Sequence, residues 1–165
     1  MSSRDDALRI YMNDHFAGSR AGVDLARRAR DNSTDRVRKE AWEKILGEVE
    51  ADREVLRAMI EKLDFSPNPV KVLLAWAGEK AGRLKTNGQL SGPSELGQLS
   101  ELELMYLGVT GKLSLWMNLA VADYPQLREF DLDELIARAE SQRDRLEDHK
   151  VALSAKVFGG SGTVA

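Results

Sequence analysis

The sequence predicts an all-α fold, an up-down four-helix bundle with one additional short helix in a crossover connection. Apolar residues recur at helical spacing through four long stretches, and Ser, Asn or Asp stands where these helices would begin. No stretch alternates apolar and polar residues with the period of two expected of a strand. At 165 residues, with 42% hydrophobic and 31% charged residues, the chain suits one ordered domain. We expect this domain over residues 1–158 and a flexible tail over residues 159–165.

The first two predicted helices form a hairpin. The first covers about residues 5–30, a turn and N-cap follow at Asn32-Ser33-Thr34-Asp35, and the second helix ends near residue 64. The second helix has the most regular apolar face, whose residues are Trp42, Leu46, Val49, Leu56, Ile60 and Leu63. In the middle of this face, where another aliphatic residue is expected, stands Arg53.

Three further helices are separated by strong turn signals. A Pro-containing segment opens a short third helix, predicted to about residue 85, and Asn87-Gly88 and Gly92-Pro93 mark the loop after it. The fourth predicted helix, residues 94–122, is the most apolar. The fifth begins at Asp131, which with Glu134 forms a near capping box, and ends near residue 157.

Composition excludes several classes of function. A formal net charge of −3 argues against a nucleic-acid partner, and Lys112 at the centre of the fourth predicted helix argues against a membrane span. The absence of cysteine excludes thiolate catalysis, iron–sulfur clusters and disulfides, and it fits the cytoplasm, which is the expected location. The N-terminal residues lack the apolar region of a signal peptide.

A shift of ninety residues superimposes the second predicted helix on the fifth. Glu50 then falls on Glu140 and Arg53 on Arg143, while the apolar pairs that match are Leu46 with Ile136, Leu56 with Leu146 and Leu63 with Leu153. A buried arginine needs a partner, so we expect these Glu-x-x-Arg motifs to form a buried salt-bridge layer. The alternative is that Glu-x-x-Arg is a common surface pair on charged helices.

Two other residues are candidates for this layer. His15 is the one histidine on a predicted core face, where hydrogen bonding to a neighbour is the expected role. Lys112 would complete the layer with a carboxylate or extend its ammonium group to the surface.

Two helix hairpins joined by a long crossover, with matching motifs in the second and fifth helices, resemble the ferritin-like superfamily. That resemblance places these two helices where the superfamily carries Glu-x-x-His metal ligands. Here Arg53 and Arg143 stand at the histidine positions, and arginine is not a metal ligand under ordinary conditions. We therefore expect no metal and no other cofactor. The alternative is a rearranged metal centre, whose ligands would be His15, Glu50, Glu103 and Glu140.

Two segments also resemble a family of bacterial helical proteins whose activity is uncharacterised. They are YMNDHFAGSRAGVDLARR at residues 11–28 and WAGEKAGRLK at residues 76–85. This resemblance implies no particular activity.

The sequence leads to a non-catalytic bundle that acts through self-association or through binding a partner. The fourth predicted helix has a second apolar side without an obvious intramolecular partner, formed by Leu104, Leu107, Leu115 and Leu119. We therefore expect a homodimer through this helix. Two alternatives stay open: a metal-binding oxidase or storage protein, and a small-ligand carrier that uses the space beside the glycines of the first helix.

Overall fold

The computed structural model describes residues 3–65 and 94–159, which form four long helices. These are α1 (Ser3–Asn32), α2 (Arg36–Lys62), α3 (Glu95–Ala122) and α4 (Leu132–Phe158), with a 3₁₀ turn at Pro125–Leu127 between the last two. The described residues contain no strand, which confirms the all-α class. The predicted third helix, residues 69–85, and almost all of the predicted tail lie outside the described residues.

Side-chain caps fix where three of the helices begin. Asp35 accepts a hydrogen bond from the Arg38 amide at 2.9 Å, and Ser94 accepts one from the Gly97 amide at 3.1 Å. Asp131 accepts from the Glu134 amide at 2.9 Å. Each cap satisfies an amide that the first helical turn leaves without a partner, so the predicted starts of α2, α3 and α4 are confirmed.

Contacts between distant residues give the direction of each helix. Tyr11 of α1 pairs with Asn118 of α3, and Arg28 of α1 lies 3.9 Å from Glu101 near the start of α3, so these two helices are antiparallel. Near the middle of α2 and of α4, Glu48 pairs with Arg145.

Asp52, one turn later on α2, pairs with Arg138, which lies two turns earlier on α4 than Arg145. Thus α2 and α4 are antiparallel as well. Because α1 and α2 form a hairpin, α2 and α3 run in the same direction, and Phe65 and Ser94 lie at opposite ends of the bundle.

The apolar core consists of two clusters, one towards each end of the bundle. One contains the first half of α1 and the second half of α2, with buried members Leu8, Met12, Leu56, Met59, Ile60, Phe65, Leu113, Leu115, Trp116, Leu119, Leu127, Leu135 and Ala139. The other contains Val23, Leu25, Ala26, Ala29, Trp42, Ile45, Leu46, Leu99, Leu102, Met105, Val109, Leu146 and Leu153. Between the two clusters lies a polar layer.

The predicted second apolar side of α3 is wrong for three of its four residues. Leu115 and Leu119 are each 1% exposed, and Leu104 is partly buried against the core, so all three have intramolecular partners. Leu107 alone, at 57% exposure, faces outward as expected. The reason is that α1 and α4 both pack on α3 and cover more of its circumference than one apolar stripe would need. Within the described ranges, no helix combines the length and apolar character of a membrane span.

Candidate functional site

Asp52 is the centre of the polar layer. Its side chain is 3% exposed, and its two carboxylate oxygens receive hydrogen bonds from two other helices. Oδ2 accepts from Lys112 Nζ of α3 at 2.5 Å and from Gln142 Nε2 of α4 at 3.2 Å. Oδ1 accepts from the guanidinium group of Arg138, also on α4. One carboxylate thereby joins α2 to α3 and α4.

Gln142 closes a triangle of hydrogen bonds with Asp52 and Lys112. Its Oε1 accepts from the Lys112 ammonium group while its Nε2 donates to Asp52. At 1% exposure the amide has no access to solvent, and its oxygen and nitrogen are each matched to a partner of the opposite kind. We call Asp52, Lys112, Arg138 and Gln142 the central cluster.

The central cluster carries more positive than negative charge. Burial lowers the pKa of Lys112, and the Asp52 carboxylate acts against this by pairing with the ammonium group. The Arg138 side chain is about one-third exposed, so its guanidinium group lies at the edge of the cluster. On the next turn Glu48 pairs with Arg145, which adds one charge of each sign.

Two buried donors, one beside the central cluster and one within it, have no hydrogen-bond partner. They are Trp116 Nε1, one turn after Lys112 on α3, and Arg138 Nε, one turn before Gln142 on α4. The other ionisable groups of the cluster bond to one another. The arrangement is therefore a set of paired charges that leaves two buried N–H donors without a partner.

The structure places the predicted pair Glu50 and Arg53 apart. Arg53 directs its guanidinium group over the Phe16 ring, 3.9 Å from the ring centre, and donates to Ser19 Oγ at 3.3 Å. Glu50 is 45% exposed and pairs with Arg27 at 2.8 Å. The prediction of a buried Glu50–Arg53 pair is wrong because the long arginine side chain leaves the core along an aromatic ring.

The second predicted pair is also placed elsewhere. Glu140 is exposed, and Arg143 pairs at 3.2 Å with its neighbour Asp144, which is itself exposed. The buried polar positions, Asp52 and Gln142, each precede the arginine that was predicted to fill the layer, and they too are ninety residues apart. Of the six predicted layer residues, Lys112 is the one that joins the central cluster.

A signal in the sequence could have found the central cluster. Asp52 lies midway between Ile45 and Met59, both of which are buried, at intervals of seven residues. Gln142 lies seven residues after the buried Leu135. Residues spaced seven apart lie on the same side of a helix, and these series of residues are as regular as the series that contains Arg53. The sequence therefore indicates Asp52 and Gln142 as inward-facing residues as strongly as it indicates the arginines.

His15 lies outside the central cluster. Its ring packs edge to face against Tyr11, with ring centres 4.7 Å apart. Burial lowers the pKa of His15, and the nearby Asp14 carboxylate opposes the shift.

The alternative metal centre is not assembled. Glu103 and Glu140 are exposed, and Glu50 forms an ion pair with Arg27. Across residues 3–65 and 94–159, no group of three or more His, Asp and Glu side chains is placed to hold a metal ion. The predicted set His15, Glu50, Glu103 and Glu140 is therefore wrong as a ligand set.

The glycines of α1 were the basis of the ligand-carrier alternative. A Cβ atom added at Gly22 would meet no other atom within 4 Å, and Ala21 beside it is exposed. This part of α1 faces open space and is not enclosed by the described helices.

Comparison with known proteins gave no relationship. No protein-family model, no curated protein and no solved structure matches the chain.

Proposed function

We propose that this protein is a non-catalytic, ferritin-like helical bundle that works through self-association, with the central cluster in the place of a di-metal site. The observation that carries the proposal is the composition of one exposed helix face. We call it the outer face of α3, and its members are Leu96, Ser100, Glu103, Leu107, Thr110, Gly111, Ser114, Met117, Asn118 and Val121.

The outer face of α3 has little charge and considerable apolar exposure. Leu107 is 57% exposed, Met117 51% and Val121 86%, while Glu103 is the one ionisable side chain of the face. The outward side of α2 is different, since it carries Glu40, Glu43, Lys44, Glu54, Arg57 and Glu61. An exposed face with one ionisable side chain, on one helix of an otherwise highly charged bundle, favours an interface with another molecule.

The central cluster supports a structural role over a catalytic one. Asp52 already receives three donors, and the Lys112 amine is held between Asp52 and Gln142. A general base or nucleophile would need a free lone pair directed at a substrate position. The cluster instead links three helices, which favours a role in setting their register.

The ferritin-like part of the proposal rests on the directions of the helices and on the equivalent positions of two buried polar residues. Helices α2 and α3 run in the same direction, as two hairpins joined by a crossover require. Asp52 and Gln142 occupy equivalent positions of α2 and α4, at mid-depth between the two apolar clusters. The cytoplasm remains the proposed location, because the sequence contains no cysteine.

Replacing Leu107 tests the self-association. Leu107→Lys places a charge in the middle of the outer face, so the dimer that we expect of the wild-type protein at micromolar concentration should dissociate to monomer. Sedimentation velocity measures this directly. Ala51→Lys is the matched control, because Ala51 is an exposed helical position on α2, and this variant should sediment as wild type does. Equal sedimentation of the Leu107 variant and the wild-type protein would contradict the proposed interface.

A further inference from the structure

We infer that the bundle binds a small monovalent anion, of which chloride is the simplest, between Trp116 of α3 and Arg138 of α4. The site lies one helical turn from the hydrogen bond between Lys112 and Gln142. The inference rests on two buried donors without an acceptor, on their common level in the bundle, and on the charge of the central cluster. It is independent of the proposed self-association.

Two buried N–H groups define the site. They are the indole Nε1–H of Trp116, a residue that is 1% exposed, and the Nε–H of Arg138. The Arg138 guanidinium group bonds to Asp52 through Nη2, so its Nε–H is a separate donor that this ion pair leaves unused. Buried N–H groups in native proteins are nearly always bonded to protein, to water or to an ion, because an unpaired one is costly. These two groups therefore require an acceptor.

The register of α3 and α4 brings the two donors to one level. The helices are antiparallel neighbours, and Lys112 of α3 bonds to Gln142 of α4. Trp116 lies four residues after Lys112, and Arg138 lies four residues before Gln142, so both are one turn away in the same direction. Side chains four residues apart share a helix face. Trp116 and Arg138 therefore lie on the facing sides of the two helices, where one acceptor can serve both.

The central cluster has one positive charge in excess. Asp52 supplies a single negative charge, while Lys112 and Arg138 supply a positive charge each. Burial lowers the pKa of Lys112, and the positive charge of Arg138 lowers it further, so the two cations disfavour each other. Charges withdrawn from water need a counter-charge. One monovalent anion beside Arg138 brings the total charge of the cluster to zero.

An anion suits these donors better than a water molecule does. Water accepts two hydrogen bonds, but it also brings two hydrogens that need acceptors, and it carries no charge. Two residues close to the donors offer no side-chain acceptor: Leu56, one turn after Asp52 on α2, and Ala139, which follows Arg138, are both apolar and buried. An anion only accepts, so it satisfies both N–H groups and the excess charge together.

The surroundings limit the size of the ion and provide a path to solvent. Trp116, Leu56 and Ala139 are 1%, 3% and 0% exposed, so packed side chains close the inner side of the site. The Arg138 side chain is 32% exposed, and a movement of this one side chain opens the site to solvent. We therefore expect an exchangeable ion of halide size. Two hydrogen bonds to a charged acceptor predict half-saturation in the millimolar range.

The indole N–H signal of Trp116 in a nitrogen–proton correlation NMR spectrum tests the site directly. The chain has three tryptophans, and the signal that is missing from Trp116→Phe assigns the one of interest. Sodium chloride replaces sodium gluconate at a constant ionic strength of about 0.1 M, so that the screening of surface charges stays the same. We expect the Trp116 signal of the wild-type protein to shift and to saturate. Sodium sulfate, whose anion is larger and divalent, should leave this signal in place.

A matched pair of arginine variants locates the ion. Arg138→Lys keeps the positive charge but removes the Nε–H donor, so chloride should bind at least about tenfold more weakly. Arg145→Lys is the control, because Arg145 lies two turns further along α4, has the same exposure as Arg138 and pairs with Glu48. This variant should bind chloride as the wild-type protein does. Circular dichroism checks that both variants are folded.

The melting temperature provides a second readout that does not depend on Arg138→Lys being folded. A bound ion stabilises the folded state by mass action, so chloride in place of gluconate should raise the melting temperature of the wild-type protein. Trp116→Phe lacks one of the two donors and should show a smaller rise. An equal rise in the two proteins would contradict the site.

Each outcome of the NMR titration decides the inference. A saturable response to chloride that Arg138→Lys weakens and Arg145→Lys preserves supports the site. No shift of the Trp116 signal, or an equal shift with sulfate, would overturn it, because the donors would then be satisfied in another way or the response would be a general salt effect. Equal weakening by both variants would place the ion elsewhere and would also overturn it. None of these results changes the sedimentation of the protein, so this inference and the proposed self-association fail separately.

Discussion

At the scale of single residues, Asp52 is the buried carboxylate to which the positive charges of the central cluster bind. It is the one carboxylate of the central cluster, and it faces both Lys112 and Arg138. A buried ion pair adds little net stability, because desolvation offsets the attraction of the charges, but removing one partner leaves the other charge uncompensated. Asp52 therefore adds little to the net stability of the fold, although its removal is expected to destabilise the protein strongly.

Asp52→Asn should lower the free energy of unfolding by about 3–5 kcal/mol, since Lys112 and Arg138 would lose their counter-charge. Urea denaturation followed by circular dichroism measures the change. Glu50→Gln is the control, because it removes a carboxylate two residues away whose pair with Arg27 is half-exposed, and its cost should stay below about 1 kcal/mol. If Glu50→Gln lowered the free energy of unfolding more than Asp52→Asn, the result would favour the layer predicted from the sequence, in which Glu50 is buried.

His15 predicts a pH dependence of stability. Burial lowers its pKa in the folded state below the ordinary 6.5, so between these two values the unfolded chain binds more protons. Stability should therefore rise as the pH increases through this window and fall as the pH drops below 6.5. Burial raises the pKa of Glu101 above the ordinary 4.5. This group therefore lowers the stability of the fold as the pH increases from that value, opposite to the effect of His15.

Comparison with His15→Gln isolates the histidine contribution from that of Glu101. The melting temperature of the variant should depend less on pH than that of the wild-type protein between about pH 5 and pH 7. Parallel curves for the two proteins would show that His15 does not titrate with a lowered pKa.

At the scale of helices, sequence patterns predicted where each described helix begins and ends but not which polar residue faces inward. Caps such as Asp35 and Ser94 act through their own helix, so local sequence is enough to find them. On α2, the residues seven positions before and after Asp52 are buried and apolar, and the same is true of Arg53. The choice between them depends on side-chain length: arginine can pass over Phe16 towards solvent, and the shorter aspartate cannot.

The equivalence of α2 and α4 can be tested by exchanging their central residues. Asp52→Gln combined with Gln142→Asp returns one carboxylate and one amide to the same layer, within reach of Lys112 in both arrangements. We expect the double variant to lose less free energy of unfolding than the sum of the losses in the two single variants, by about 1–3 kcal/mol, as measured by urea denaturation. Additive losses would show that the two positions are not interchangeable partners.

At the scale of the whole molecule, two apolar clusters flank a charged layer, and one helix face remains without a partner among the described residues. The all-α class and the ninety-residue repeat follow from periodicity in the sequence, which each helix carries locally. The outward side of α3 could not be predicted in this way. Because nearly every turn of α3 is apolar, its sequence gives no preferred direction, and its packing against α1 and α4 decides which residues are covered.

The mass of the wild-type protein in solution tests the central claim most directly. Sedimentation equilibrium of the full chain over a range of micromolar concentrations measures this mass without any substitution. We predict a reversible rise from the 18.4 kDa of one chain towards twice that value as concentration increases. A constant mass of one chain across the whole range would contradict the account, because the outer face of α3 would then have no second copy as its partner.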